Sequence, residues 1–301
     1  MDFSIVIATF DRCASLERLL GGIAQHFGKS EISHEIIVAN NARQVEKINR
    51  IDEIVGALQR EQGSRFHLVR EPEAGKCRAQ NRAIAQARGN VLVFFDDDVE
   101  VRPAWLQVTA EFFRTTSFDA MQGSILMPPA MAKDDAFLRA HNRYRTINFV
   151  QYPPTMREIK TLTGANMAIR REVFDRIGLF NENLGPGRSG ISEDVEFARR
   201  LVDSGGKIGY EHRAGVYHEV DWTRLTDEFF RQRHEQQGRS RLIFKHQSLV
   251  SITPNVLRSV VTFAWYSLTG NERKKYRAKG RYFHYRAMLQ EKIRNSAGSQ
   301  V

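Results

Sequence analysis

The chain contains only two cysteines in 301 residues, Cys13 and Cys77, with neither C-x-x-C spacing nor a paired histidine cluster. That scarcity excludes a disulfide scaffold and a structural zinc site, and it fits a reducing, cytoplasmic compartment. No apolar run approaches the ~20 residues that a membrane-spanning helix needs, so a transmembrane anchor is not expected. Met1-Asp2 leads straight into an apolar strand-like segment, without a basic stretch, an apolar core and a cleavage site, so no signal peptide is expected either. Low-complexity tracts and fixed-period repeats are also missing, which removes disordered, solenoid and propeller readings. The loop after the first strand-like run, Ala8 to Ser15 (ATFDRCAS), has no glycine, so neither a P-loop nor a G-x-G-x-x-G fingerprint exists.

What is present is enough apolar residue to build a large core: 42% of the chain is hydrophobic and 27% charged. One α/β domain, or one with an appendage, is the expected scale. The net charge is +10 and the isoelectric point about 9.8. Basic residues crowd the C-terminal part, from Arg273, Lys274 and Lys275 through Arg277, Lys279 and Arg281 to Arg286, Lys292 and Arg294. Such a surface attracts nucleic acid, anionic lipid or a phosphate-bearing substrate, and charge alone does not choose among them.

Short apolar runs alternate with amphipathic ones through the first hundred residues. Phe3 to Ala8, Ile36 to Ala39, Phe66 to Val69 and Val91 to Phe95 read as strands. Ser15 to Phe27, Val45 to Gln62 and Lys76 to Ala87 read as helices, the last closed by Gly89. Continuous apolar strands alternating with helices predict a mainly parallel sheet covered on both faces, with ligands bound beyond the strands' carboxyl ends. The polar residues to watch are therefore Thr9 to Arg12, Asn40-Asn41 and Asp96-Asp97-Asp98. Beyond Val101 the pattern loosens, with a helix at 103–115, strands at 120–127, 164–169 and 208–220, and a helix from Glu193. From about Thr226 the chain reads as helices.

Three consecutive acids directly after the buried run VLVFF repel one another, and a divalent cation with oxygen ligands relieves that cost. The bland alternative is a solvated acidic turn. A strand's carboxyl end favours the cation.

The segments FSIVIATFDR, EIIVANNAR, GKCRAQNRAIAQARG, VLVFFDDDVEV, TGANMAIRREVF and SEDVEFARRL occur in the order found in family 2 glycosyltransferases, which the chain resembles over about residues 3–240. The resemblance implies a GT-A nucleotide-binding fold, here as a catalytic domain over 1–240 and a basic helical extension over 241–301. Residues 1–101 would form the nucleotide-sugar half and 102–240 the acceptor half. It also implies an inverting, metal-dependent transfer from a nucleoside-diphosphate sugar, with UDP the expected nucleotide, to a saccharide or lipid-linked acceptor.

Residue by residue, Ala8, Thr9, Phe10 and Arg12 match the loop that packs on the base. Asn41 matches the position that reads the base, with an amide where the family commonly has a carboxylate. Arg78 and Asn81 match the helix facing ribose and phosphates. Asp96 and Asp97 fall to the nucleotide-sugar side of the D-x-D pattern, and Asp98 to Mn²⁺ or Mg²⁺. Asp194 matches the general base that takes the acceptor proton. Glu193 serves either the acceptor or the helix cap, since acids in a first turn also favour the helix dipole. His218, in VYHEVD, stands where the family often supplies a further metal or diphosphate ligand. Gly164, Ala165 and Asn166 match the acceptor-side strand, with tight core packing as the alternative. Trp222 is a candidate platform for a sugar ring. Processive relatives carry Q-x-x-R-W in the region of 232–241, and no such tryptophan follows here, so one transfer per encounter is expected.

The C-terminal segment, apolar over 256–268 and then basic with interleaved aromatics, suits either an anionic membrane surface or a helical hairpin that packs on the catalytic domain or forms a dimer. A metal-dependent nucleotidyltransferase is the rival enzyme class, yet the glycine-free first loop counts against it. A nucleic-acid binder would leave the acids of 96–98 and 193–194 unexplained and facing a phosphate backbone, so no nucleic acid is expected.

Overall fold

The computed structural model describes residues 1–298, with side chains through 295. The chain falls into two compact units that do not divide at residue 240. One comprises Met1–Pro128, Phe149–Glu182 and Glu193–Glu219, and the other Pro129–Asn148, Asn183–Ser192 and the chain from Val220 onward. The last three residues of the 241–301 segment lie outside the described residues.

The first unit carries every strand found among the described residues. In chain order it contains β1 (Phe3–Thr9), α1 (Cys13–Phe27), β2 (His34–Asn40), α2 (Val45–Gln62), β3 (Phe66–Arg70), α3 (Lys76–Gln86), β4 (Val91–Asp96), β5 (Val99–Val101), α4 (Trp105–Thr115) and β6 (Ala120–Leu126). After α5 (Asp135–Tyr144), which belongs to the second unit, come β7 (Glu158–Ile159), β8 (Asn166–Arg170), α6 (Arg171–Ile177), α7 (Glu193–Asp203) and β9 (Ile208–His218). The strand order is β3-β2-β1-β4-β8-β6-β9-β5, with β7 on β9.

β1, β2, β3 and β4 are mutually parallel, as expected. β8 then enters antiparallel to both β4 and β6, so the second half of the sheet is mixed. β2 is buried along its whole length and β1 along all but one residue, the consequence of helices on both faces. α1 covers one face with Leu16, Leu19, Leu20, Ile23 and Phe27, a 3–4 residue spacing that keeps one stripe against the sheet.

Register sets the site. Ala8 pairs with Asp96 and Thr9 with Asn40, so β1, β2 and β4 end level with one another. The chain leaves β1 through α1 for β2 on one side. β4, on the other side of β1, is reached only from β3 through α3, so the strand order reverses beside β1, where open sheets of this kind leave a crevice. Phe95 pairs with Asn166, so the residues leading into antiparallel β8 return to the same edge, and Val99 pairs with His218.

The second unit is helical, with α8 (Asp227–Phe244), α9 (Leu249–Leu268) and α10 (Glu272–Gly298) packed together. Tyr276 is its aromatic hub, edge-on to Tyr144 at 5.4 Å and to Phe230 at 5.6 Å. Asp134 caps α5 by accepting from the N–H groups of Ala136 and Phe137.

Candidate active site

Three acids leave β4 in three directions. Asp96 points to Lys76, whose Nζ lies 2.6 Å from Asp96 Oδ1 and 3.2 Å from Glu193 Oε1. Asp97 turns back to β1, accepting from Thr9 Oγ1 at 2.7 Å and from Arg12 at 3.3 Å. Asp98 also contacts the Arg12 guanidinium, and its Oδ1 lies 3.7 Å from His218 Nε2. Burial, with Asp98 beside it, pushes the Asp97 carboxyl up to about 6 despite Arg12. Burial also opposes ionisation of Asp96, but Lys76 outweighs it and holds the carboxyl below its usual range.

Asp96, Asp98 and His218 each offer a ligand atom, and these atoms lie within 4.8 Å of one another. His218 Nδ1 is 2.7 Å from the carbonyl of Glu219, which can only accept. Nδ1 therefore carries the proton and Nε2 presents its lone pair. The Glu219 N–H in turn donates to the carbonyl of Asp98 at 2.9 Å, fixing imidazole and acid on one frame. Two carboxylate oxygens and one imidazole nitrogen fit Mn²⁺ or Mg²⁺. Asp96 joins this group, whereas the sequence had suggested only the nucleotide side for it.

Asp194 lies in the first turn of α7. Its Oδ2 accepts from the Gly164 N–H at 3.0 Å and its Oδ1 from the Val195 N–H at 2.8 Å. Burial and the neighbouring Glu193 raise its pKa to about 6, although Lys76 and both N–H groups work the other way. The result is a fixed carboxylate with raised proton affinity.

Lys76 was read in the sequence only as the start of a helix. Burial disfavours its ammonium, but Asp96 and Glu193 outweigh that and hold its pKa well above the ordinary lysine value. A signal was available: a lysine opening a helix, with no acid in the first turn, opposes the helix dipole unless carboxylates face it. Gly75 just before it has φ 145°, a conformation only glycine adopts readily. Gly164 gives Lys76 its room, because a Cβ there would sit 3.1 Å from Nζ.

The other expected residues divide by what their polar atoms already do. Phe10 is 48% exposed on the loop after β1, free to lie against a base, and Ala8 is half-buried beside it. Asn41 spends its amide internally, donating to the carbonyls of Glu71 and Glu73, both at 2.7 Å, and accepting from Gly75 N–H. It pins the loop before α3. Asn81 holds the 180–182 segment through Phe180 and Glu182. Arg78 pairs with Glu73 and Glu182. Asn166 is fully buried, donating to the carbonyls of Ser124 and Ala214 and accepting from Trp105 Nε1 at 3.0 Å, while Ala165 is buried beside it. The core-packing alternative therefore describes Asn166. In the second unit, Trp222 is 47% exposed and stands edge-on to Phe137 at 5.8 Å.

This crevice, with acids ending the fourth strand and a second acidic pair opening α7, agrees with comparison to known proteins. The glycosyl transferase family 2 pattern matches residues 4–178. The chain belongs to this family. A glucosyl-dolichyl phosphate glucuronosyltransferase of Haloferax volcanii is 23% identical over 168 residues, 48% of this chain and 53% of the relative. The match thus spans about half of that protein. Among solved structures, a mannosyltransferase from Pyrobaculum calidifontis in complex with GDP-Man and Mn²⁺ superposes with a TM-score of 0.63 at 15% identity, covering 96% of this chain and 86% of the other. S. aureus TarS 1–349 in complex with UDP-GlcNAc gives 0.55 at 12% identity, covering 98% and 92%. At these identities the superpositions establish the fold alone.

Proposed function

We propose that this family 2 chain transfers a sugar from a nucleoside-diphosphate sugar to an acceptor hydroxyl, with inversion, in a single transfer per encounter. The observation that carries the reading is the meeting at one sheet edge of a three-residue metal-ligand group, Asp96, Asp98 and His218, with the Asp194 carboxylate. A divalent metal held by Asp96, Asp98 and His218 would offset the charge that develops on the leaving diphosphate.

The chain's own residues supply the rest. Phe10 offers a face for the base. Asp194, aimed by the Gly164 and Val195 N–H groups, accepts the acceptor hydroxyl proton as that oxygen attacks the anomeric carbon. The bond from that carbon to the diphosphate breaks as the new one forms, so the configuration inverts and nucleoside diphosphate leaves. Lys76 keeps Asp96 ionised through the step and pairs with Glu193. Two structural neighbours are in complex with UDP-GlcNAc and with GDP-Man, which supports a nucleotide-sugar donor, and UDP is our expectation for this chain. We assign the acceptor to a saccharide or lipid-linked saccharide of a bacterial cell-surface polysaccharide or glycoconjugate, and the chain to the cytoplasmic face of a membrane.

Calorimetric binding of UDP, GDP, dTDP and CMP nucleotides with and without Mn²⁺ tests the reading. One nucleoside diphosphate should bind only with metal, and Asp98→Ala should abolish that binding. Metal-independent binding, or none, would remove the transferase assignment.

A further inference from the structure

The basic excess of this protein is confined to one end. Residues 241–301 hold 12 of the 45 Lys and Arg and 2 of the 35 Asp and Glu, a net +10, which leaves residues 1–240 with 33 of each sign. The catalytic part is therefore neutral overall, and the whole charge sits on the helical end. Nothing in the transfer chemistry asks for that arrangement.

The same segment exposes an apolar row. On α9, Val250, Leu257, Val261, Trp265 and Leu268 are 84%, 63%, 67%, 62% and 85% exposed. Their spacings of 7, 4, 4 and 3 residues keep them on one stripe, about 80° wide at ~100° per residue. Ile252 and Ser259, on the opposite side, are buried, so α9 is seated by its far face and its apolar row is turned outward. α9 holds no acid, and its one basic residue, Arg258, borders the row. α10 follows with exposed Arg273, Lys274, Arg277 and Arg281, and Lys274 is held over the Tyr266 ring of α9 at 5.4 Å.

We infer that the outward face of α9 docks in the interface of an anionic lipid bilayer, with Val250, Leu257, Val261, Trp265 and Leu268 among the upper acyl chains and the charge of the flanking α10 cations drawing the segment to the anionic surface. The inference rests on the membrane-face placement proposed above and names the surface responsible. Apolar insertion and basic attraction together make reversible binding, and α9, although 20 residues long, is not apolar enough to cross the membrane. Charge decides between lipid and a second copy of this chain. A self-complementary contact through α9 would bring two +10 segments together, whereas an anionic surface neutralises one. Nucleic acid would use the cations but leave the apolar row in water.

The test is co-sedimentation of the full chain with vesicles of phosphatidylcholine containing roughly one-third phosphatidylglycerol, against phosphatidylcholine alone. Wild type should bind the anionic vesicles, with a blue shift of Trp265 emission that Trp265→Phe removes, and should be released by high salt. The combined Leu257→Ser, Val261→Ser and Leu268→Ser variant should lose about tenfold in the bound fraction, as should Arg273→Glu with Lys274→Glu and Arg277→Glu. Metal-dependent nucleotide binding should be unchanged in every variant, reporting intact folding. Wild type that ignores anionic vesicles overturns the membrane placement itself. Wild-type binding that the serine variant retains overturns this face alone, as would a dimer that the serine variant dissolves.

Discussion

Lys76 is a shared counter-ion for the two acidic motifs: its ammonium lies 2.6 Å from Asp96 at the end of β4, and it also reaches Glu193 at the start of α7. Sheet edge and catalytic helix are thus joined by one buried cation. Lys76→Met should destabilise the protein by roughly 3–5 kcal/mol in chemical denaturation, because it leaves buried carboxylates without their partner. The sign of the pH dependence follows from the shifts. The raised Lys76 pKa gives stability that is present below its ordinary 10.5, and the depressed Asp96 pKa gives stability that is present above 3.8 and is lost as pH falls below it. The gap between wild type and variant should therefore be full at pH 6–9 and close in acid.

Gly164→Ala probes the same cation from the other side. The added Cβ would press on the Lys76 nitrogen at 3.1 Å, and the flexible end of the lysine can yield, so the melting temperature should fall little. Turnover should fall by about tenfold or more, because alanine keeps the N–H that aims Asp194 but displaces the Lys76 ammonium from its place between Asp96 and Glu193. The double variant with Lys76→Met should be markedly less than additive in turnover, since both act through one contact. Additive losses would separate the two residues.

Much of this site was legible in the sequence, because strand ends in a parallel sheet are marked by abrupt apolar-to-polar changes. VLVFF followed by DDD marked the strand end where the candidate metal cluster gathers, and FSIVIA followed by TFDR marked the loop beside it. Side-chain direction was not legible. The backbone sends Asp96 to Lys76, Asp97 to Thr9 and Asp98 to His218, and no local pattern distinguishes three adjacent aspartates. Lys76 carries no local mark of which acids it pairs with, because its partners lie 20 residues away at Asp96 and far beyond at Glu193. β5, three residues long, is too short to leave a periodic signal. The compact units differ from a cut at 240 because 129–148 and 183–192 join the C-terminal helices, a long-range association with no compositional mark.

Asn166 gives a direct test of core against acceptor contact. Its amide satisfies Ser124, Ala214 and Trp105, so Asn166→Leu strands two buried carbonyls and an indole N–H. A loss of roughly 3 kcal/mol or more in stability is expected, with the acceptor KM unchanged well below the melting temperature. A raised KM with stability intact would return Asn166 to the acceptor site.

His218→Ala should weaken Mn²⁺ binding by at least about tenfold, measured by calorimetry in the presence of nucleotide, since one of three clustered ligand atoms is lost. Folding should be nearly unaffected, because the lost bond to the Glu219 carbonyl lies at the end of β9. Unchanged metal affinity would leave Asp96 and Asp98 as the metal's ligands and His218 as packing.

Asp194 carries the sharpest conflict between stability and function. Burial beside Glu193 raises its pKa to about 6 from an ordinary 3.8, so at neutral pH the fold holds a carboxylate it would rather protonate. A raised carboxyl pKa costs stability above the folded value, and the cost disappears as pH falls through 6 towards 3.8. That cost is about 3 kcal/mol at pH 8, and Asp194→Asn removes the charge while keeping the shape, a gain offset in part because its NH₂ must face one of the two N–H groups that the carboxylate accepts from. The variant should therefore melt several degrees higher than wild type at pH 8, with the advantage shrinking towards pH 5. Its turnover should fall at least about a thousandfold, because the amide cannot take the acceptor proton. In wild type, kcat/KM should rise with unit slope below about pH 6 and level off above it, as the base loses its proton. Thermal melts and rate profiles on the two proteins separate the roles: a variant that is inactive yet no more stable would mean that Asp194 is already compensated in the fold, and a stable variant that keeps its turnover would move the base elsewhere.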